Sequence, residues 1–201
     1  IATCFASEYP GAFEVIVVDD GSTDDTYAEM FAAQAALMTE ERRIKLVKLP
    51  QNRGKREAMA EGILCSQGEL LVFVDSDSFP NPDAVRIITE HLMGDPRVGA
   101  VSGNSIAENA DTNLVTKMQS ARYSVSFDVF KACESVFSVV TCCPGCFSAY
   151  RRSAVLPILN AWRTQKFLGT KSTFGDDRSL TNFMLQDWKV EYCRHAVART
   201  I

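Results

Sequence analysis

Leu70-Leu71-Val72-Phe73-Val74-Asp75-Ser76-Asp77 decides how this sequence is read. Its apolar run is strand-sized and nearly unbroken, as in a strand covered on both faces within a parallel sheet. Two acids follow directly. A counterpart lies upstream, where Val15–Val18 runs into Asp19-Asp20-Gly21-Ser22-Thr23-Asp24. Around these two stretches strand and helix signals alternate. Glu14–Val18 reads as a strand and Asp24–Met38 as a helix. Ile44–Leu49 is a second strand stopped by Pro50, and Lys55–Ser66 a helix closed near Gly68. After Leu70–Val74, Pro82 opens a helix over Asp83–Met93, and Val98–Ser102 is a fourth strand. Strands separated by helices of this length imply crossovers, hence an α/β fold with a mostly parallel sheet flanked by helices.

Beyond Ser102 the pattern loosens. Thr112–Glu134 reads as one long helix whose Leu114, Met118, Ala121, Val125 and Val129 form an apolar stripe. Phe137–Cys143 is apolar and breaks at Pro144-Gly145, a turn signal. Ser148–Arg151 reads as a strand and Ser153–Asn160 as a short helix. A further helix runs from Asp176 to Leu185 behind Gly175, and Lys189–Cys193 is the last strand. No repeat or flexible linker interrupts the 201 residues, so they read as a single domain with a variable second half.

Composition narrows the function. Hydrophobic residues make up 46%, enough for a buried core. The 21 basic and 25 acidic residues leave a net charge of −4, which excludes a dedicated nucleic-acid surface. The apolar runs are far shorter than a membrane span and no signal peptide is visible. Seven cysteines, an odd number, argue against a secreted disulfide framework and for a reducing compartment. Cys142, Cys143 and Cys146 cluster, but a zinc site wants a fourth ligand and neither Cys133, His91 nor His195 is close in sequence. The opening Ile1, without Met, reads as the start of an excised piece of something longer.

The acids behind the strands carry the chemistry. Strand C-termini of a parallel sheet share one edge, and ligands bind in the crevice there. Loop and cap duty accounts for Ser22 or Asp24. It accounts poorly for Asp75 and Asp77, whose like charges repel unless a cation lies between them. Spaced in this way they suit a hard divalent ion shared with substrate phosphate oxygens.

Several segments together resemble a known family. Val17-Val18-Asp19-Asp20-Gly21-Ser22-Thr23-Asp24 resembles the nucleotide-binding motif of inverting family 2 glycosyltransferases, which have a GT-A fold, a Rossmann-like sheet between helices. Val74-Asp75-Ser76-Asp77 resembles their DxD metal motif. Asn52-Arg53-Gly54-Lys55-Arg56 is similar to the Asn-x-Gly-Lys segment of processive, membrane-embedded members. Gly175-Asp176-Asp177-Arg178 with Leu180-Thr181 resembles the general-base motif of hyaluronan synthases and of the Nod-factor chitin oligosaccharide synthase. Cys143-Pro144-Gly145-Cys146-Phe147-Ser148-Ala149-Tyr150-Arg151-Arg152 resembles the segment those enzymes place near the acceptor sugar. Each motif alone is weak; their order and spacing are specific.

The resemblance implies roles residue by residue. Asp20, with Asp19, would contact uridine, and Lys55 the diphosphate of a UDP-sugar. Asp77 would hold Mn2+ or Mg2+, with Asp75 supporting it or the sugar hydroxyls. Asp177 would be the catalytic base, Asp176 and Arg178 would shape its site, and Gly145 and Cys146 would lie at the acceptor. Residues 1–104 would then form the nucleotide-sugar half and 105–201 the acceptor and base half. The implied enzyme is the core of a processive synthase at the cytosolic face of a membrane. It would extend a β-linked polysaccharide or oligosaccharide, with UDP-GlcNAc favoured as donor and alternation with GlcA left open. By the family pattern a nucleotide-contacting strand precedes the Asp-Asp-Gly motif, and a Gln-x-x-Arg-Trp motif and membrane helices follow the base. None lies between Ile1 and Ile201, where Trp162 and Trp188 fall outside that motif, and Pro144-Gly145-Cys146 replaces the more familiar Gly-Pro order. Two other readings remain at this point: a haloacid dehalogenase-type phosphatase, which also places Asp-x-Asp behind an apolar strand, and a non-catalytic nucleotide-sugar-binding module. No G-x-G-x-x-G follows a strand, which disfavours a dinucleotide enzyme.

Overall fold

The computed structural model describes residues 1–39, 42–172 and 174–201. A short helix α1 (Ala2–Phe5) opens the chain and leads to β1 (Phe13–Asp19), whose Val and Ile residues favour extended backbone. Asp25 precedes α2 (Thr26–Leu37), and β2 (Arg42–Lys48) then pairs with β1 in parallel, from Phe13 with Arg42 to Asp19 with Lys48. Next come α3 (Lys55–Cys65), β3 (Leu70–Phe73), a short β4 (Ser78–Pro80), α4 (Ala84–Gly94) and β5 (Val98–Ala107). Pro80 sits in an edge strand, where its missing N–H does no harm. Asp83 precedes α4, whose Ala84, Ile88 and Leu92 recur at helical spacing and are fully buried against the sheet.

A second ladder has the order β3-β6-β5-β9-β4, where β6 is Ser148–Arg151 and β9 is Lys189–Thr200. β6 is antiparallel to both β3 and β5, so those two run in the same direction; β9 runs with β5, and β4 against it. The α/β class and the shared direction of β3, β5 and β9 agree with the sequence reading. The ladder bonds are nonetheless mostly antiparallel, because β6 returns from a long helical excursion and inserts between the co-directional strands. β3 also departs from expectation. Only Leu71 is buried, and Leu70, Val72 and Phe73 are half-buried in a strand that ends the ladder. The β1–β2 pair forms its own sheet and is tied to the rest through α3. Gln67 N–H donates to Glu14 Oε1 at 2.6 Å, and Lys45 Nζ to the Cys65 carbonyl at 3.2 Å.

The region read as one helix is continuous but not uniform. α5 (Leu114–Ser124) passes into a π-helical segment, Val125–Lys131, and then α6 (Ala132–Val136). Asn113 caps α5 in a reciprocal box with Thr116. The expected stripe is not the buried face: Leu114, Met118, Val125 and Val129 are 73%, 66%, 49% and 50% exposed. Phe127 and Lys131 turn inward instead. From Val125 on the wider π turn shifts the helical phase, so the α period misses Phe127 and Lys131, while α5 before it buries none of its residues. Four further elements complete the chain in order: α7 (Arg152–Arg163), the hairpin β7 (Lys166–Phe167) and β8 (Thr170–Lys171), and α8 (Asp176–Met184). The halves 1–104 and 105–201 share one sheet, since β6 and β9 pair with strands of the first half. One core cluster packs Trp162, Tyr150, Leu180 and Met184, while another packs Phe147 and Val101 against α4. Among the described residues no helix is long and apolar enough to cross a membrane.

Candidate active site

The C-terminal end of β1 delivers Asp19 and Asp20. Asp19 is buried; its Oδ1 accepts the Ser22 N–H at 2.8 Å, while its buried Oδ2 has no hydrogen-bond partner among the described residues. Ser22 and the nearby Lys48 hold the Asp19 carboxyl below its usual pKa, so it is charged at neutral pH. Asp20 accepts the N–H groups of Arg53 and Gly54 at 2.7 and 2.8 Å. Gly21, with φ of +74°, lies so near this second loop that a Cβ there would come within 2.4 Å of the Gln51 carbonyl carbon. Only glycine meets both demands. The loop after β1 is thereby clasped to the loop that starts α3.

Lys55, the first residue of α3, places its Nζ 2.7 Å from Asp75 Oδ1, just past the end of β3. Pairing of Phe73 with Ser148 sets the start of β6 beside the end of β3, which brings Gly145 and Cys146 to the same rim. Gly145 N–H donates to Asp177 Oδ2 at 2.8 Å. A Cβ at Gly145 would stand 2.7 Å from Lys55 Nζ, 3.0 Å from Asp75 Oδ1 and 3.1 Å from Asp177 Oδ1. That one point touches the cation and both acids. Cys146 Sγ lies 2.7 Å from Ser105 Oγ, and the Arg178 guanidinium lies beside the Cys142 thiol. Cys143 is packed in the core, which pushes its thiol up to about 12.

Burial raises the pKa of Asp177, tempered by Lys55 and the Gly145 N–H, so its carboxylate is a stronger base than a solvated one. Burial works against the Lys55 ammonium, yet Asp75 and Asp177 together raise its pKa and keep it charged.

Lys55, Asp75, Gly145, Cys146 and Asp177 are thus brought together. Asp176 is not. It forms an ion pair with Arg56 at 2.7 Å, the two side chains 10% and 5% exposed. Asp77 is exposed, with the Ser78 hydroxyl 3.4 Å from its Oδ1. Among the described residues no three His, Cys, Asp or Glu side chains gather as a metal cage. Arg56, Trp162 and Ser105 escaped the sequence reading. A signal for Arg56 was present: a second cation at a helix N-terminus, beside Lys55, is disfavoured by the dipole and calls for a buried acid.

A family model described as glycosyl transferase family 2 matches residues 1–158. The chain belongs to glycosyl transferase family 2. It is 37% identical over 202 residues to an N-acetylglucosaminyltransferase of Azorhizobium caulinodans, covering 100% of this chain and 50% of the relative. It is also 37% identical over 206 residues to an N-acetylglucosaminyltransferase of Rhizobium meliloti, covering 100% and 47%. The chain therefore spans about half the length of the curated relatives it matches. Among solved structures it is similar to a mannosyltransferase from Pyrobaculum calidifontis in complex with GDP-Man and Mn2+. There the TM-score is 0.73 at 23% identity, over 98% of this chain and 50% of that one. It is also similar to TarS residues 1–349 from S. aureus, with a TM-score of 0.67 at 19% identity, over 99% and 54%. These structural likenesses concern the fold of this family 2 domain. Family membership displaces the phosphatase reading.

Proposed function

We propose that this family 2 domain is the catalytic part of a longer, membrane-embedded enzyme facing the cytosol. It would transfer a sugar, GlcNAc first among candidates, from its UDP donor onto a β-linked oligosaccharide or polysaccharide with inversion. The observation that carries this reading is the point beside Gly145 shared by Lys55, Asp75 and Asp177. A reaction between a diphosphate-activated sugar and an acceptor hydroxyl needs a cation for the leaving group and a base for the attacking one. Both meet there. The curated relatives named N-acetylglucosaminyltransferase favour the GlcNAc donor.

The buried Oδ2 of Asp19, which has no hydrogen-bond partner among the described residues, is an acceptor suited to a nucleoside N–H or hydroxyl, and Asp20 shapes the loop around it. Lys55 exchanges part of its contact with Asp75 for the diphosphate, as a compact cation suited to phosphate. Asp177 takes the proton of the acceptor hydroxyl while that oxygen bonds the anomeric carbon. The bond from that carbon to the diphosphate oxygen breaks, and UDP leaves with the electron pair. Attack from the face opposite the leaving group inverts the anomer. Arg178 and Cys146 border the acceptor side.

Asp75 and Asp77 form a hard oxygen donor set that fits Mn2+ or Mg2+, the remaining positions being left to diphosphate oxygens and water. When bound, such an ion supplies Lewis-acid stabilisation of the leaving diphosphate. The structurally similar mannosyltransferase holds Mn2+ with GDP-Man, which supports a divalent ion in this domain.

The test uses the full-length protein, offered UDP-GlcNAc, UDP-GlcA and UDP-glucose singly and in pairs, with UDP release and product analysed. Expected are release from UDP-GlcNAc, weaker UDP binding under chelator, and loss of turnover in Asp177→Asn with UDP affinity within about threefold of wild type. Near-normal turnover in Asp177→Asn would remove the base from this position. No turnover with any donor, alongside intact UDP binding, would favour a non-catalytic binding module.

A further inference from the structure

We infer that Arg56 is a positioning residue for the base, so that the first turn of α3 serves the donor through Lys55 and the base through Arg56. This rests on the assignment of Asp177 proposed above. A guanidinium buried at a helix N-terminus faces an unfavourable dipole and a desolvation penalty. Arg56 accepts both, being 4% exposed in the first turn of α3. Its Nε donates to Asp176 Oδ1 at 2.7 Å, and Nη1 to the Trp162 carbonyl at 3.2 Å and Gln165 Oε1 at 3.4 Å. The guanidinium carbon lies 5.4 Å from the Trp162 ring centre.

These partners converge on the start of α8. Trp162 Nε1 donates to the Asp176 carbonyl at 3.2 Å, and Ser179 hydroxyl bonds Gln165 Oε1. The side chain and the carbonyl of Asp176 are therefore both held, as is Ser179 one turn on. Before Asp176, Ser172 N–H donates to the Gln165 carbonyl at 3.1 Å and its hydroxyl to the Phe174 carbonyl at 3.4 Å. Gly175 has φ of +71°, a backbone state that glycine adopts freely, and a Cβ built there would meet nothing within 4 Å. Asp177 follows directly, its carboxylate 2.8 Å from the Gly145 N–H. The anchor on Asp176 thus acts on where that carboxylate stands, together with the Gly145 N–H that the carboxylate accepts. Lys55, next to Arg56, is 2.7 Å from Asp75. One helix turn thus contacts Asp75 through Lys55 and the neighbour of Asp177 through Arg56. A purely structural ion pair would stabilise the fold and leave the reaction untouched, and this distinguishes the two.

The test compares Arg56→Lys, the double variant Arg56→Met/Asp176→Met and Asp177→Asn in the full-length protein. Apolar side chains of similar volume replace many buried ion pairs without loss of stability, so the double variant should keep its melting temperature and bind UDP within about threefold of wild type. Its kcat should fall about tenfold or more with donor KM little changed, since a slight misplacement of a reacting group is costly. Arg56→Lys, which keeps the charge and loses the fork, should fall about fivefold. A folded double variant with wild-type kcat overturns the inference. If the double variant does not fold, wild-type kcat in Arg56→Lys overturns it instead. Asp177→Asn separates the two levels: inactivity there together with full activity in the Arg56 variants refutes the positioning role alone, whereas turnover there refutes the base as well.

Discussion

At Gly145 the smallest possible addition tests the geometry. A methyl group would press on Lys55 Nζ at 2.7 Å, which can swing away, and on Asp75 and Asp177 at 3.0 and 3.1 Å, which are less free to move. Gly145 has no positive φ, so the backbone tolerates alanine and the clash alone acts. Gly145→Ala should fold normally and lose about a hundredfold in kcat, as misplacement by about 1 Å does elsewhere. Steady-state rates and a melting curve on the same preparation decide this; unchanged kcat would mean that no reacting atom passes that point. At this scale the sequence was informative where a residue type is costly to keep without a task. Asp75 behind the apolar run marked the carboxylate that meets Lys55, while Asp77 stays exposed; Gly145 after Pro144 announced a turn. The pairing of Asp176 with Arg56 was illegible, because it joins residues 120 apart whose meeting depends on how α3 packs against α7 and α8. Nor could spacing reveal that the Asp20 carboxylate is taken up by two backbone N–H groups, which clasps the loop after β1 to the loop before α3.

The helix from α5 to α6 shows the difference between apolar and buried. Phe127 sits in the π segment at 5% exposure, 6.1 Å from both the Tyr123 and Tyr192 rings, with Lys131 Nζ 5.2 Å from its own ring centre. Phe127→Ala should cost about 3 kcal/mol in urea unfolding. Met118→Ser, on the exposed stripe, should change stability by no more than about 0.5 kcal/mol. A large loss at Met118 would show that this face is covered within the chain after all. Elements marked by β-branched runs or by a regular α period, such as β1 and α4, were legible in sequence. Those resting on pairing alone were not. β4 and the strands of the β7–β8 hairpin are only three and two residues long. β5 and β9 run on past Ser102 and Cys193 through Asn104, Ser105, Arg194 and His195, where the apolar pattern stops but the ladder continues past a bulge.

On the scale of the whole molecule, α4, β9 and the turn after α6 meet at one titrating group. His91 Nε2 lies 2.9 Å from Glu191 Oε2, while Glu191 Oε1 accepts the Ser138 hydroxyl at 2.8 Å. The Cys193 sulfur and the Glu191 carboxylate beside it raise His91 from 6.5 to about 9, against a smaller burial penalty. The folded value lies above the unfolded one, so the charged ring stabilises fully below about pH 6.5 and this contribution is lost as pH rises through about 9. The stability gap between wild type and His91→Gln should be present at about pH 6 and close by about pH 10, measured by urea midpoints. A gap of constant size would show that His91 contributes by packing and not by charge. The same strand, β9, governs how a nascent chain can close. Val98 pairs with Lys189 and Ala107 with Thr200, so β5 waits some ninety residues of translation for its neighbour, and β4 has no other partner in the sheet. Until Lys189–Thr200 has left the ribosome, a bare β5 edge is open to other chains. Closure of this sheet therefore trails the synthesis of β5 by some ninety residues, and the emerging polypeptide depends on chaperones or speed to keep that edge from the wrong strand.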